Sequence, residues 1–325
     1  MSKKTRREML AAAMAAGAAL AVRPALAQAW PARNIKIIVP FGLGGSADVM
    51  ARYLAEQLRE PLNQTVVVEN RPGAGAVIGT DAVAKSDPDG YTFLMMSNTH
   101  TANETLLPNR PYQLLRDLVP VASVNIAYNV LALHPSVPAK SVPELIALAK
   151  AEPGKYNYAS SGPGTPYHII GEIFRSMAGI QVQHVPFRGS DQARTAVMAG
   201  TVQWMFDAVP TMAEQVRGGH VRALATTGPQ RDPLLPEVPT VAETLPGFDG
   251  PIWIGLMAPA GTPKDIVDRL NSEVNRVMNL PATREWQAKL GAKPLTMSVN
   301  EFDTFLRKDI ETQRKWITQA QIKVN

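Results

Sequence analysis

Apolar positions along the chain switch repeatedly between a period of two and a period near that of a helix. Short β-branched runs at 35–39, 65–69 and 91–95 predict strands, and Met50, Leu54 and Leu58, one helical turn apart, predict a helix between the first two. This is the alternation of βαβ units, in which helices cover a parallel sheet. A second series of strands is expected at 129–133, 156–159, 183–186, 202–207 and 223–226. Ser141 with Glu144, and Ser298 with Glu301, have the spacing of capping boxes that start helices. Thr262-Pro263 opens a further helix, on which Ile266, Leu270, Val274 and Val277 share one face.

A Pro-rich connection over 229–251 leads to another strand at 253–258. The residues that follow are too few for a third core, so they are expected to return to the first unit. The reading gives one lobe from 28–126 with 252–325 and a second from 127–251. Two crossings, near 124–129 and 250–253, would form a hinge of paired strands.

Ahead of this pattern, Lys3, Lys4, Arg6 and Arg7 precede an Ala/Gly-rich apolar run, and Ala25-Leu26-Ala27 offers small residues for cleavage. That order reads as a secretory signal over 1–27, and the run is shorter than the ~20 apolar residues of a membrane span. Arg6-Arg7, with Arg23 before the cleavage site, fits a twin-arginine signal; an ordinary basic start is the alternative. Most of the formal net charge of +5 lies in this segment, leaving the remainder nearly neutral, so neither nucleic acid nor an anionic membrane surface is an expected partner. The absence of cysteine removes disulfides, thiolate metal sites, a cysteine nucleophile and a lipid-modified N-terminal cysteine. The expected state is a soluble monomer in a Gram-negative periplasm, without a lipid anchor.

The candidate chemistry lies in loops between strands and helices. Phe41-Gly42-Leu43-Gly44-Gly45-Ser46-Ala47-Asp48 joins the first strand to the first helix. Its glycines allow close backbone approach, and the first-turn amides around Gly45, Ser46 and Ala47 suit an anion. A plain tight turn with Asp48 as a first-turn acid would use the same residues. So would a dinucleotide fingerprint, Gly42-x-Gly44-x-x-Ala47, with Glu69 as the ribose-binding acid; the rival function is an exported nicotinamide-dependent oxidoreductase using the loop at 42–47. Pro40 and Phe41, which separate strand from glycines, count against it.

A second such loop holds Ser160, Ser161, Gly162, Gly164 and Thr165, the last as N-cap before Pro166, with His168 on the helix behind. Tyr158 and Ala159 stand where a Gly-x-Ser-x-Gly elbow needs glycine, so a serine hydrolase is not expected. His168 and Glu172 lie one helical turn apart but have no further metal ligands nearby in sequence, and no cofactor is expected. Arg188, next to Gly189, is a cation for a carboxylate or a partner for Asp191. Asp207 would accept a bond from a ligand or cap a helix near Thr211, and Ser97, Asn98 and Thr99 are polar candidates on the first lobe's rim.

Taken in order, PFGLGGSADVMAR, ENRPGAGAVIGTDAVAKSDPDGYT, YNYASSGPGTPYHIIGEIF, HVPFRGS, VQWMFD and APAGTP resemble the Bug family of solute receptors serving tripartite tricarboxylate transporters. The resemblance spans nearly all of the chain after the signal. It implies an α/β, two-lobed periplasmic-binding-protein fold of type II with a two-crossing hinge, in which two glycine-rich loops hold a ligand carboxylate, partly through water. By position these loops are Phe41 to Asp48 and Ser160 to Thr165, with His168 behind the second. The implied partners are a small carboxylated ligand and the small and large membrane subunits of the transporter, or a sensor kinase. Family ligands include dicarboxylates, tricarboxylates, amino acids, nicotinic compounds and aromatic acids. Leu43 and Trp204 depart from the family's usual residues and are expected to reshape the pocket.

Overall fold

The computed structural model describes residues 30–323. The signal read over 1–27 lies outside the described residues. The first half of the fold runs β1 (Ile35–Val39), α1 (Ser46–Leu62), β2 (Val66–Asn70), α2 (Val77–Ala84), β3 (Thr92–Ser97), α3 (Asn98–Leu106) and the short α4 (Leu114–Asp117) into a long strand, β4 (Leu118–Leu133). The second half alternates α5 (Val142–Ala151), β5 (Asn157–Ser160), α6 (Pro166–Ala178), β6 (Gln183–Pro186), α7 (Ser190–Met198), β7 (Trp204–Ala208), α8 (Val209–Arg217) and β8 (Arg222–Thr226). The chain then follows β9 (Pro251–Pro259), α9 (Lys264–Asn279), α10 (Pro281–Lys289), β10 (Ala292–Pro294) and α11 (Val299–Gln319).

Strand order is β2-β1-β3-β9-β4-β7-β5-β6, with β8 and β10 also on β4. Pairing is parallel within each βαβ set, β1 with β2 and β3, and β5 with β6 and β7. β4 joins the halves: Leu118 to Tyr128 pair antiparallel with β9, and Asn129 to Leu133 pair with β7. Its 16 residues span roughly 50 Å at about 3.3 Å each. The crossings expected near 124–129 and 250–253 are therefore neighbours in one ladder, with Ile126 opposite Trp253. The strand expected at 129–133 is only the last third of β4. Pro120 lacks a ladder donor and the register shifts just after it, a local irregularity that hides the strand's beginning.

The first half's core sets Met50, Leu54 and Leu58 of α1 against Ile35 and Ile37 of β1, and Ile266, Leu270, Val274 and Val277 of α9 join the same cluster. The tail thus returns to the first half, except at its end. Ile317, Ala320 and Ile322 pack with Tyr158, Ile169 and Phe174 in the second half's core, so α11 ties the two halves together.

Of the two capping boxes, Ser298 and Glu301 form one completely: Glu301 N–H donates to Ser298 Oγ, and Ser298 N–H to Glu301 Oε2 at 2.8 Å. Ser141 Oγ also accepts from Glu144 N–H, but the Glu144 carboxylate turns to the Lys140 amide at 2.8 Å, one residue too early to close a box. Helix α9 starts one residue later than Thr262-Pro263 implies, because the Thr262 hydroxyl donates to Pro259 O and does not cap.

Candidate functional site

A cavity of about 900 Å³ lies between the halves, with Phe41, Gly42 and Gly45 to Ala47 on one side and Ser161 to Tyr167 and Phe187 to Ser190 on the other. Helix α1 begins at Ser46, with Gly45 as N-cap in extended conformation, so its first amides are free of intrahelical partners. The loop before it is held from behind. Asp48, buried, accepts from Gly44 N–H and from Asn70 Nδ2, each at 3.0 Å, and pairs with Arg52; Asn70 Nδ2 also donates to Phe41 O at 3.2 Å. Burial acts to raise the Asp48 carboxyl, but Arg52, Gly44 and Asn70 outweigh it and hold it below the usual carboxylate range. Gly44 has φ +71°, where a side chain would be strained. Phe41 sits edge-on against buried His100, with ring centroids 5.9 Å apart.

The second loop is held by a column of stacked rings. His168 lies on His184 at 4.1 Å between centroids, His184 on Tyr158 at 4.9 Å, and Tyr158 on Trp204 at 4.9 Å. Gly164 N–H donates to His168 Nδ1 at 3.1 Å, and His184 Nε2 lies 2.6 Å from Ser160 Oγ, which accepts from Gly162 N–H. Burial lowers His168 to about 4, and burial together with the neighbouring His168 lowers His184 to about 3, so both imidazoles are neutral at pH 7 and His168 can accept. Thr165 is the N-cap of α6, yet its hydroxyl donates back to Gly162 O at 2.7 Å and stiffens the loop instead of capping.

A third helix start meets the same space. Gly189 is the N-cap of α7, and Ser190, only 7 % exposed, lines the cavity. The sequence reading named Arg188 and Gly189 without the helix they introduce; a glycine ahead of Ser190-Asp191, with Ala193 and Val197 one turn apart, is the signal that marks it. Tyr167, another cavity residue not anticipated, has its hydroxyl near those of Ser46 and Ser190. Ser46 Oγ is buried without a hydrogen-bond partner. Also unanticipated is the loop from Pro72 to Val77. Gly73, Ala74, Gly75 and Ala76 all have positive φ, and Asn103 Nδ2 and Thr80 Oγ1 donate to the carbonyls of Gly75 and Ala76.

Of the residues singled out from sequence, Phe41, Gly45, Ser46, Ala47, Ser97, Ser161, Gly162, Gly164, Thr165, Arg188 and Gly189 line the cavity. Gly44, Asp48, Asn98, Ser160, His168 and Asp207 do not: Gly44 is exposed to solvent, and the other five are buried away from the cavity surface. Asn98 Nδ2 is spent on Pro251 O at 3.1 Å. Asp207, completely buried, pairs with Arg194 at 3.0 Å and accepts from Ala208 N–H, so it is closed to a ligand and does not cap a helix at Thr211. Burial raises its carboxyl, with Arg194 opposing. Arg188 is exposed and has no ion pair with Asp191 or any other described residue. Neither expected pocket-shaper lines the cavity: Leu43 is 61 % exposed to solvent, and Trp204 is buried in the core.

Glu69, the acid on which the dinucleotide reading depends, is engaged at the surface by Lys36 and Arg71. His168 and Glu172 form no metal pair, since Glu172 is taken by Tyr158 at 2.5 Å and by Arg175. Among the described residues no cluster could hold a metal ion, and no helix is long and apolar enough to cross a membrane.

Residues 50–322 match the model of the tripartite tricarboxylate transporter family receptor, TctC, and the chain belongs to that family. It is 40 % identical over 291 residues to Protein BugT of Bordetella pertussis, covering 89 % of each chain. Among solved structures it resembles the R. palustris protein Rpa4515 with adipate, at 31 % identity and a TM-score of 0.88 over 90 % of this chain and 99 % of that one. MatC from Rhodopseudomonas palustris with bound malate is 29 % identical, with a TM-score of 0.84 over 89 % of this chain and 100 % of that one. The family is one of solute-binding receptors.

Proposed function

We propose that the protein captures a small carboxylated organic molecule in the periplasm, by binding alone and without a cofactor or a catalytic step. The observation that carries this reading is the meeting of three helix N-termini, of α1, α6 and α7, on one cavity between the two halves. Each partly buried terminus is worth up to about 2 kcal/mol to an anion, and each hydrogen bond to a charged group about 1.5–3 kcal/mol. Three termini with one or two such bonds reach the ~8 kcal/mol of micromolar affinity. The relatives solved with adipate and with malate support a carboxylate as the ligand class.

The contacting residues in this reading are those that line the cavity: Phe41, Gly45, Ser46, Ala47 and Ser97 from the first half, and Ser161, Gly162, Gly164, Thr165, Arg188 and Gly189 from the second. The lobe expected over 28–126 with 252–325 closes, in its described part and apart from the end of α11, against 127–251 about the paired strands β4 and β9, and the end of α11 follows the second body. Ligand shifts the open and closed populations by its differential affinity for them. The closed monomer is then read by the small and large membrane subunits of a tripartite tricarboxylate transporter, or by a sensor kinase.

Replacing Gly45 with leucine tests the first loop. A Cβ there meets only Gly42 O, at 3.8 Å, and the backbone is not left-handed, so the change fills the cavity without straining the fold. Carboxylate affinity should fall at least tenfold, as read by calorimetry, while thermal unfolding is retained. Undiminished affinity would remove this loop from the site.

A further inference from the structure

One buried side chain stands between the cavity and a second, outer hollow, and we propose that this residue, Arg110, is the end wall of the ligand space and sets the longest ligand accepted. The inference rests on the carboxylate reading above and deepens it, because a head group held at the helix N-termini fixes where the other end of the molecule falls.

Two contacts across the cleft bracket the ligand space. At one end, where α1 and α7 begin, a Cβ on Gly42 would stand 3.5 Å from Gly189 Cα. At the other, a Cβ on Gly75 would stand 3.1 Å from Pro163 O and 3.9 Å from Leu107 Cδ1. Ile252 and Ile254 line the same space, so a hydrocarbon chain leaving the head group is buried against apolar surface. Each further methylene buried adds about fourfold in affinity.

Past Leu107 lies the outer hollow, of about 370 Å³, lined by Glu104, Tyr112 and residues 113–116. Pro108 and Arg110 line both spaces and form the partition between them. Pro108 is exposed, whereas the Arg110 side chain is only 6 % exposed and is fastened at both guanidinium nitrogens. Nη1 donates to Asn103 O at 3.2 Å and to Leu107 O at 3.0 Å, where a cation suits the C-terminus of α3. Nη2 donates to Glu104, whose Oε1 also accepts from the Leu114 N–H of α4 at 3.3 Å. The guanidinium lies 5.8 Å from the centroid of the Tyr112 ring. With its charge answered by Glu104 and its Nε enclosed without a partner, Arg110 presents bulk to a ligand and not an open charge.

The test titrates two straight-chain series, butanoate to dodecanoate and succinate to dodecanedioate, into the wild type, Arg110→Ala and Arg110→Met by calorimetry at pH 7. In whichever series binds, wild-type affinity should peak at one chain length and fall beyond it. Alanine joins the two spaces, so acids about two methylenes past that peak should bind Arg110→Ala at least tenfold tighter than they bind the wild type. Methionine refills the space without the charge and should bring the wild-type limit back. Should Arg110→Ala fail to fold, its combination with Glu104→Gln leaves no charge unpaired and carries the same expectation. A wild-type series without a limit, an unshifted limit in the alanine variant, or a methionine variant that shifts as far as alanine overturns the end wall and leaves the carboxylate reading standing. Binding of other small carboxylates with neither series bound does the same. Binding of no small carboxylate at all overturns both.

Discussion

The amide of Gly164 donates to Nδ1 of His168, one helical turn on, at 3.1 Å. Through the stack of His168 on His184, and through His184 to Ser160, both ends of the second loop are fastened to the same two imidazoles. The loop's geometry is therefore built into the core of the second half before any ligand arrives. Phenylalanine at 168 would keep the stack and remove the acceptor, leaving a buried amide unsatisfied. His168→Phe should cost about 1–3 kcal/mol in chemical denaturation and weaken carboxylate binding by about tenfold. Unchanged affinity would mean that the anchor does not shape the site.

The same substitution isolates a pH effect. Burial holds His168 at about 4 in the folded protein, against an ordinary 6.5, so at intermediate pH the unfolded chain binds more protons at this residue. The wild type must then lose stability as pH falls from about 6.5 towards 4, and a variant without the imidazole escapes that loss. The stability gap between wild type and His168→Phe should be widest at pH 7 and shrink by at most ~1.4 kcal/mol per pH unit on acidification. A gap that widens towards pH 4 would reverse the sign of this account.

Asp207 is a structural acid. It is fully buried against Arg194, whose side chain is 15 % exposed, and Asp207→Ala leaves that guanidinium without its partner. The expected loss is about 3–5 kcal/mol in denaturant unfolding. A loss below about 1 kcal/mol would show that the pair contributes little.

How far these features were legible in the sequence depends on whether their partners lie nearby along the chain. Ser298 with Glu301, and the α1 face of Met50, Leu54 and Leu58, are local and could be read directly. The glycine loops at 42–47 and 160–165 were legible as helix starts for the same reason. Asp48 and Asp207 were not assignable, because Asn70 and Arg194, the residues that occupy them, meet them only through the fold. The loop at 72–77 shows turn chemistry, but its place on the cavity comes from Asn103 and from Pro163 of the other half.

Gly75 sits where that loop meets Pro163, at φ +61°. Gly75→Ala adds a methyl group 3.1 Å from the Pro163 carbonyl, so the halves must part by a few tenths of an ångström. Left-handed alanine costs about 1–2 kcal/mol of stability. Beyond that, ligand affinity should drop by about tenfold if closure brings these two residues together, and equal affinity would place the closing contact elsewhere.

Charge recognition by the helix N-termini is tested most directly by titrating the purified protein with hexanoate and malate and, in parallel, with hexanamide and malamide. The account predicts micromolar binding of at least one acid, with its amide at least a hundredfold weaker. An amide that binds as tightly as its acid would contradict it.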